Sequence, residues 1–92
     1  MNPKRYNVGD VVMITAKNLQ TIRNSNRSIH AYPSDSFVEI ASNLANNHIA
    51  GRVSETFLPG YEVNVTFVNG QILQMKDHWI TELTYDSVAF IP

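Results

Sequence analysis

The residues able to do chemistry are few in this sequence, and none is spaced for a catalytic or metal site. The histidines, His30, His48 and His78, lack the His-x-x-x-His spacing of a helical metal site. The chain has no cysteine, which excludes a thiol nucleophile, a thiolate ligand and a disulfide. Asp35 and Glu39 share a face if they lie on a helix, where like charges are usually solvated. These patterns predict a protein that is not an enzyme and holds no metal or cofactor.

Motifs for nucleotide binding and acyl transfer are also missing. No serine stands in a Gly-x-Ser-x-Gly elbow. Neither Gly-x-x-x-x-Gly-Lys nor Gly-x-Gly-x-x-Gly occurs among the four glycines. Binding by charged and aromatic side chains is therefore the chemistry left to consider.

Positive charge is concentrated in the first third of the chain. Residues 1–27 carry a net charge of +4 and residues 28–92 a net charge of −5. The basic side chains can contact phosphate, and three aromatic rings can stack on bases, although each set can equally serve charge balance or the core. The candidate binding residues are Lys4, Arg5, Tyr6, Lys17, Arg23, Arg27, Tyr32 and Trp79.

Length and composition predict one small domain. The chain has 92 residues, of which 43% are hydrophobic and 16% charged, and ten are asparagine. No apolar run approaches the ~20 residues of a membrane span, and the first residues lack the apolar stretch of a signal peptide. We therefore expect a cytoplasmic protein that does not enter a membrane, with 1–92 forming a single domain.

The first part of the chain is predicted to hold one strand and one long loop. An N-terminal arm spans 1–7, and residues 11–16 alternate as a strand with Val12, Ile14 and Ala16 on one face. Residues 17–36 show no sustained period, and 17–28 are rich in Asn, Ser and Arg, which predicts a long polar loop over 17–36. Long loops in small domains are often functional, so this loop is a candidate binding element.

A helix is predicted over 34–47. Ser36 and Glu39 fit a capping box, with Ser36 as the N-cap. Phe37, Ile40, Ala41 and Leu44 repeat with helical spacing. The alternative is a strand over 37–41.

The second half of the chain is predicted to be mostly strands. They cover 49–57, where Gly51 suggests a bulge or bend, then 61–67, 71–76 and 81–85, with a tight helical turn at 77–80. Residues 86–92 form an apolar tail that can pack on the domain, add an edge strand or pair with another copy. The predicted core residues are Val12, Ile14, Val53, Val63, Val65, Phe67, Leu73 and Met75.

The register of the hairpin after residue 67 can be predicted from how polar and apolar residues divide between its two faces. A two-residue loop at Asn69 and Gly70 mixes polar and apolar residues on each face. A three-residue loop over 68–70 places Val65 opposite Leu73 and pairs Glu62 with Lys76. This register needs a left-handed residue at the third loop position, where Gly70 stands.

The chain resembles SH3-like barrels. The resemblance is carried by Val-Gly-Asp-x-Val-x-Ile at 8–14, Ile-x-Gly-x-Val at 49–53, the alternating strand at 61–67, and Met-Lys-Asp-x-Trp at 75–79. It is nearest to KOW-type modules, the barrel of nitrile hydratase beta subunits and other small phage or prokaryotic barrels. It implies a mainly β, five-stranded SH3-like barrel with a long first loop and one short helix. SH3 domains that bind proline-rich peptides have an acidic first loop, whereas this one is basic.

The function predicted from these patterns is a non-catalytic binding module that docks on a protein partner. The resemblance suggests a phage-type host-interaction or transcription-associated protein. One alternative is nucleic-acid binding through the N-terminal arm and the 17–28 loop. Another is a small structural subunit whose oligomers form through residues 86–92.

Overall fold

Five antiparallel strands and two helices form the part of the chain that the computed structural model describes, residues 4–57 and 61–83. The apolar tail and the end of the last predicted strand lie outside these residues. The elements in chain order are β1 (Val11–Met13), α1 (Ala16–Asn26), α2 (Asp35–Asn46), β2 (Ala50–Phe57), β3 (Glu62–Phe67), β4 (Ile72–Lys76), a 3-10 turn (Asp77–Trp79) and β5 (Thr81–Glu82).

The sheet has the strand order β4-β3-β2-β1-β5. The prediction of five strands is confirmed, and all their pairings are antiparallel, but the prediction of a mainly β barrel is confirmed only in part. The domain is mixed α/β, and its sheet is not closed, since the outer strands β4 and β5 do not pair within the described residues.

The long loop predicted over 17–36 is wrong, because α1 occupies half of it and α2 begins at Asp35. Thr15 caps the helix: its Oγ1 accepts the N–H of Asn18 at 3.1 Å, and Oδ1 of Asn18 accepts the N–H of Thr15 at 3.0 Å. Leu19 and Ile22 are buried. Residues 27–34 alone remain as a connection. Because α1 begins at Ala16, the first strand ends at Met13 and Ala16 is exposed rather than on its buried face.

The helix predicted over 34–47 is confirmed, and the alternative strand is wrong. The predicted N-cap, Ser36, lies two residues after the observed one. Ser34 is the N-cap, and its Oγ accepts the N–H of Phe37 at 3.2 Å. Asp35 then lies in the first turn, where a negative charge favours the helix.

The predicted hairpin register is confirmed. Val65 pairs with Leu73 and Glu62 with Lys76. The N–H of Gly70 donates to the carbonyl of Phe67 at 2.9 Å, and Gly70 has a φ of +92°. The alternation of apolar and polar residues was enough to determine both strands and their turn.

Of the bulge or bend predicted at Gly51, the bulge is not found there. The register of β2 against β3 shifts between Val53 and Glu55 instead. A Cβ atom at position 51 would lie 2.7 Å from Cγ1 of Val65, so glycine is needed there because the neighbouring strand packs close to it.

The core lies between the sheet and the helices. All eight predicted core residues are buried. The helices and the 3-10 turn add large side chains to them, and the largest of these are Ile22, Leu44 and Trp79.

Candidate functional site

Three of the predicted binding residues, Lys4, Tyr6 and Lys17, line one cleft of about 330 Å³. The cleft lies between the N-terminal arm, the first turn of α1 and the 3-10 turn, which supplies Asp77 and His78. The fold therefore brings the N-terminal arm next to the beginning of α1.

The charges in this cleft are largely satisfied within the protein. Nζ of Lys4 lies 2.7 Å from Oε2 of Glu82, and this contact raises the pKa of Lys4. The backbone N–H of Lys4 donates to Oδ2 of Asp77 at 2.9 Å. Burial raises the pKa of Asp77, but hydrogen bonds from Lys4 and His78 outweigh it, so the pKa is lowered overall. Lys4 acts here as a structural anchor of the arm.

Tyr6 anchors the same arm from inside the core. It is buried, and its hydroxyl donates to the carbonyl of Ile80 at 3.2 Å. Burial is the main cause that raises the pKa of Tyr6 to about 12. Its ring therefore presents no open face for stacking on a base.

The other predicted basic residues lie apart from this cleft. Cζ of Arg5 lies 5.4 Å from the centre of the Tyr61 ring. Arg23 lines a second cleft, of about 620 Å³, where α1 meets α2, and its Nη2 donates to Oγ of Ser42 at 3.3 Å. Arg27 is exposed at the C-cap of α1. The eight candidates thus do not form one site.

Tyr32 and Trp79, the last two candidates, contact each other. Their ring centres are 5.7 Å apart, and the Phe37 ring lies 5.4 Å from that of Trp79. Trp79 is fully buried, whereas Tyr32 is 50% exposed. Nζ of Lys76 lies 5.4 Å from the centre of the Tyr32 ring. The cluster offers an aromatic surface with a cation beside it, and Tyr32 is the accessible part.

A groove of about 350 Å³ runs past this aromatic cluster, and we call it the β4 groove. It is lined by residues 31–34 and Phe37 from the helical side and by Ile72, Leu73 and Gln74 from β4. Successive side chains of a strand point to opposite faces, so a groove touching three consecutive residues runs along the edge of the strand. Ile72 is 61% exposed there.

The outer edge of β4 presents backbone donors and acceptors to this groove. The N–H of Phe67 donates to the carbonyl of Gln71 at 2.8 Å. Hydrogen-bonded and non-bonded pairs alternate in an antiparallel ladder, so Leu73 and Met75 bond to β3. Ile72 and Gln74 then direct their N–H and C=O groups away from β3. Among the described residues no strand pairs with this edge.

Most of the β4 groove was not predicted as a site. Of its residues, Tyr32 alone was a candidate. The missed signal is the pair Ile72-Leu73 in an otherwise alternating strand. Two adjacent apolar residues cannot both face the core, so one of them is exposed.

Neither a metal centre nor a membrane segment emerges in the described ranges. Residues 4–57 and 61–83 contain no cluster of three His, Cys, Asp or Glu side chains placed to hold a metal ion. Within the same ranges, both helices fall short of what a membrane crossing requires in length and apolarity.

The sequence matches no protein-family model, and a search of curated proteins finds no significant match.

Proposed function

We propose that this protein is a non-catalytic binding module that takes an extended segment of a partner protein as an added strand on the outer edge of β4. The observation that carries the proposal is the coincidence of this edge with the apolar β4 groove. The outward N–H and C=O groups of Ile72 and Gln74 supply affinity, as in other cases of strand addition. The finer fold assignment, an SH3-like barrel, is part of the proposal and is supported by the five-stranded antiparallel order.

The chemistry of the groove indicates the kind of segment it binds. Tyr32, Phe37 and Ile72 offer apolar surface to alternate side chains of an added strand. Lys76 is a cation beside Tyr32 and makes no ion pair with any described residue. An extended segment with alternating apolar residues and one acidic residue fits both features.

Edge strands are usually protected against such pairing. Proteins place charges, proline or bulges on them, because exposed backbone groups recruit other chains. In β4, Lys76 is the one charged residue, Ile72 is exposed, and the ladder to β3 shows no register shift. An unprotected edge beside an apolar groove supports a binding role.

The proposal is tested by selecting peptides and mapping where they bind. A displayed library of random dodecapeptides is selected on the full chain, and enriched peptides are titrated while tryptophan fluorescence is followed. Trp79 is the sole tryptophan and contacts Tyr32 and Phe37, so it senses an occupant of the groove.

Two variants and a matched control locate the binding. Gln74→Pro removes an outward N–H and leaves the hydrogen bonds to β3 in place. Proline is tolerated at such a position of an edge strand. We expect Gln74→Pro and Ile72→Ser to weaken binding about tenfold, since each removes an edge hydrogen bond or apolar contact. Val68→Ser alters an equally apolar residue, 81% exposed at the hairpin tip, and should leave affinity unchanged. No enriched peptide, or equal affinity for all variants, would overturn the proposal.

A further inference from the structure

The solvent face of α1 carries a line of polar side chains that no described element covers. Lys17, Gln20, Asn24 and Arg27 are all exposed. Their spacing of three, four and three residues puts them on one side of the helix. The opposite side, with Leu19 and Ile22, is buried in the core. We call this exposed line the α1 face.

The α1 face carries a cation at each end, Lys17 and Arg27, and no carboxylate of its own. The sequence has no Asp or Glu between Val11 and Ser34. Two carboxylates of the described residues lie at its borders. Asp77 lines the cleft that Lys17 also lines, and Oδ1 of Asp35 accepts from Nδ2 of Asn26 at 2.9 Å. Attraction for a polyanion is thus expected here despite the formal net charge of −1.

We propose that the α1 face binds double-stranded DNA with the helix in the major groove. Ten residues separate Lys17 from Arg27, or about 15 Å along a helix. The major groove is about 12 Å wide, so the two cations can reach phosphates on both of its sides. Gln20 and Asn24 lie between them and carry amides of the type that read base edges.

The amides of the α1 face are partnered with each other in the free protein. Nε2 of Gln20 donates to Oδ1 of Asn24 at 3.0 Å. Binding exchanges this exposed hydrogen bond for bonds to DNA, at little cost in free energy. The cations contribute most of the affinity, and the amides contribute sequence preference.

Duplex DNA fits the α1 face better than single strands or double-stranded RNA. Single-strand binding relies on aromatic stacking, but Tyr6 and Trp79 are buried, and the half-exposed Tyr32 lines the β4 groove. The major groove of A-form RNA is too narrow for a helix. The proposal also uses no residue of the β4 groove, so either proposal can fail without the other.

The test is anisotropy of a labelled 20-base-pair DNA duplex titrated with the full chain at 50 and 200 mM salt. We expect binding of about 10–100 µM at 50 mM salt, in the range of non-specific complexes. Two phosphate contacts give a slope near −1.8, or about a tenfold weakening at 200 mM salt. Single-stranded DNA and double-stranded RNA of the same length should bind more weakly.

Two double variants, each of which removes two positive charges, distinguish binding at the α1 face from a general effect of net charge. Lys17→Gln with Arg27→Gln should weaken binding at 50 mM salt about tenfold and flatten the salt dependence. Arg5→Gln with Arg52→Gln removes the same charge from exposed positions elsewhere and should change affinity less than twofold. Circular dichroism confirms that both variants are folded. Equal losses in both variants, tighter binding of single strands, or no binding at 50 mM salt would overturn the proposal.

Discussion

The hydroxyl of Thr81 donates to Oδ1 of Asn18 at 2.8 Å, joining β5 to the first turn of α1. The same oxygen accepts from the hydroxyl of Thr15 at 2.8 Å. Asn18 is buried, and its Nδ2 donates to the carbonyl of His78 at 3.4 Å. One amide side chain therefore holds the cap of α1, the 3-10 turn and the last described strand together.

Replacing Asn18 should destabilise the whole domain. Asn18→Ala leaves two hydroxyl donors and the backbone N–H of Thr15 without their acceptor, and we expect it to lower the free energy of unfolding by about 2–3 kcal/mol. Asn24→Ala is the control, since Asn24 is exposed on the same helix, and should cost less than about 0.5 kcal/mol. Urea unfolding of both variants measures the difference. Similar losses would show that the Asn18 hydrogen bonds contribute little.

The predictability of α1 and of the hairpin differed for a physical reason. The β3–β4 hairpin depends on residues close in sequence, so alternation and Gly70 were sufficient to predict it. In α1 the apolar signal is only Leu19 and Ile22, and Asn18 of its first turn is held by Thr81, 63 positions away in the sequence. Tertiary contacts of this kind are not visible in a local pattern.

The candidate site was less predictable than the fold. The β4 groove forms where residues 31–34 meet β4, and no spacing in the sequence relates these two segments. Tyr6 and Trp79 were predicted as possible stacking surfaces or core residues, and their type alone could not decide between the two. The charge of Lys17 and Arg27 correctly indicated that both are exposed. They were predicted to lie in a loop, whereas they lie on one face of a helix.

A side chain larger than hydrogen at position 51 should strain the sheet. The Cβ atom of Gly51→Ala would meet Cγ1 of Val65 at 2.7 Å and the backbone oxygen of Thr66 at 3.0 Å. We expect a loss of about 1–3 kcal/mol in the free energy of unfolding, typical of overpacking. Thr56→Ala, at an exposed position of the same strand, should cost less than about 1 kcal/mol. Thermal unfolding that ranks the variants in the opposite order would exclude this close packing.

Asp77 should make the stability depend on pH below about 4. Its folded pKa lies below the usual 3.8, so its carboxylate stabilises the fold fully above that pH. The contribution is lost as the pH falls through the folded pKa. We expect Asp77→Asn to be less stable than the wild type at pH 7 and the two urea midpoints to converge as the pH falls further below 3.8. Glu39→Gln, at an exposed position, should follow the wild type throughout. A difference in urea midpoint between Asp77→Asn and the wild type that stays constant with pH would contradict this role.

Trp79 should be replaceable by phenylalanine but not by alanine. Its Nε1 is buried and makes no hydrogen bond to any described residue, so Trp79→Phe removes an unpartnered donor while keeping an aromatic ring. We expect Trp79→Phe to cost less than about 2 kcal/mol and Trp79→Ala about 3–5 kcal/mol. Equal losses in guanidinium unfolding would mean that the indole N–H contributes to stability.

Amide hydrogen exchange along β4 most directly tests whether its outer edge is open and receives a strand. In the full chain without peptide, the N–H groups of Leu73 and Met75 should be protected, and those of Ile72 and Gln74 should exchange fast. Addition of a selected peptide should slow Ile72 and Gln74 at least about tenfold and leave Val68 unchanged. Protection of Ile72 and Gln74 before any peptide is added would show that the edge is already occupied. Fast exchange of both amides in the peptide complex would show that no strand is added there.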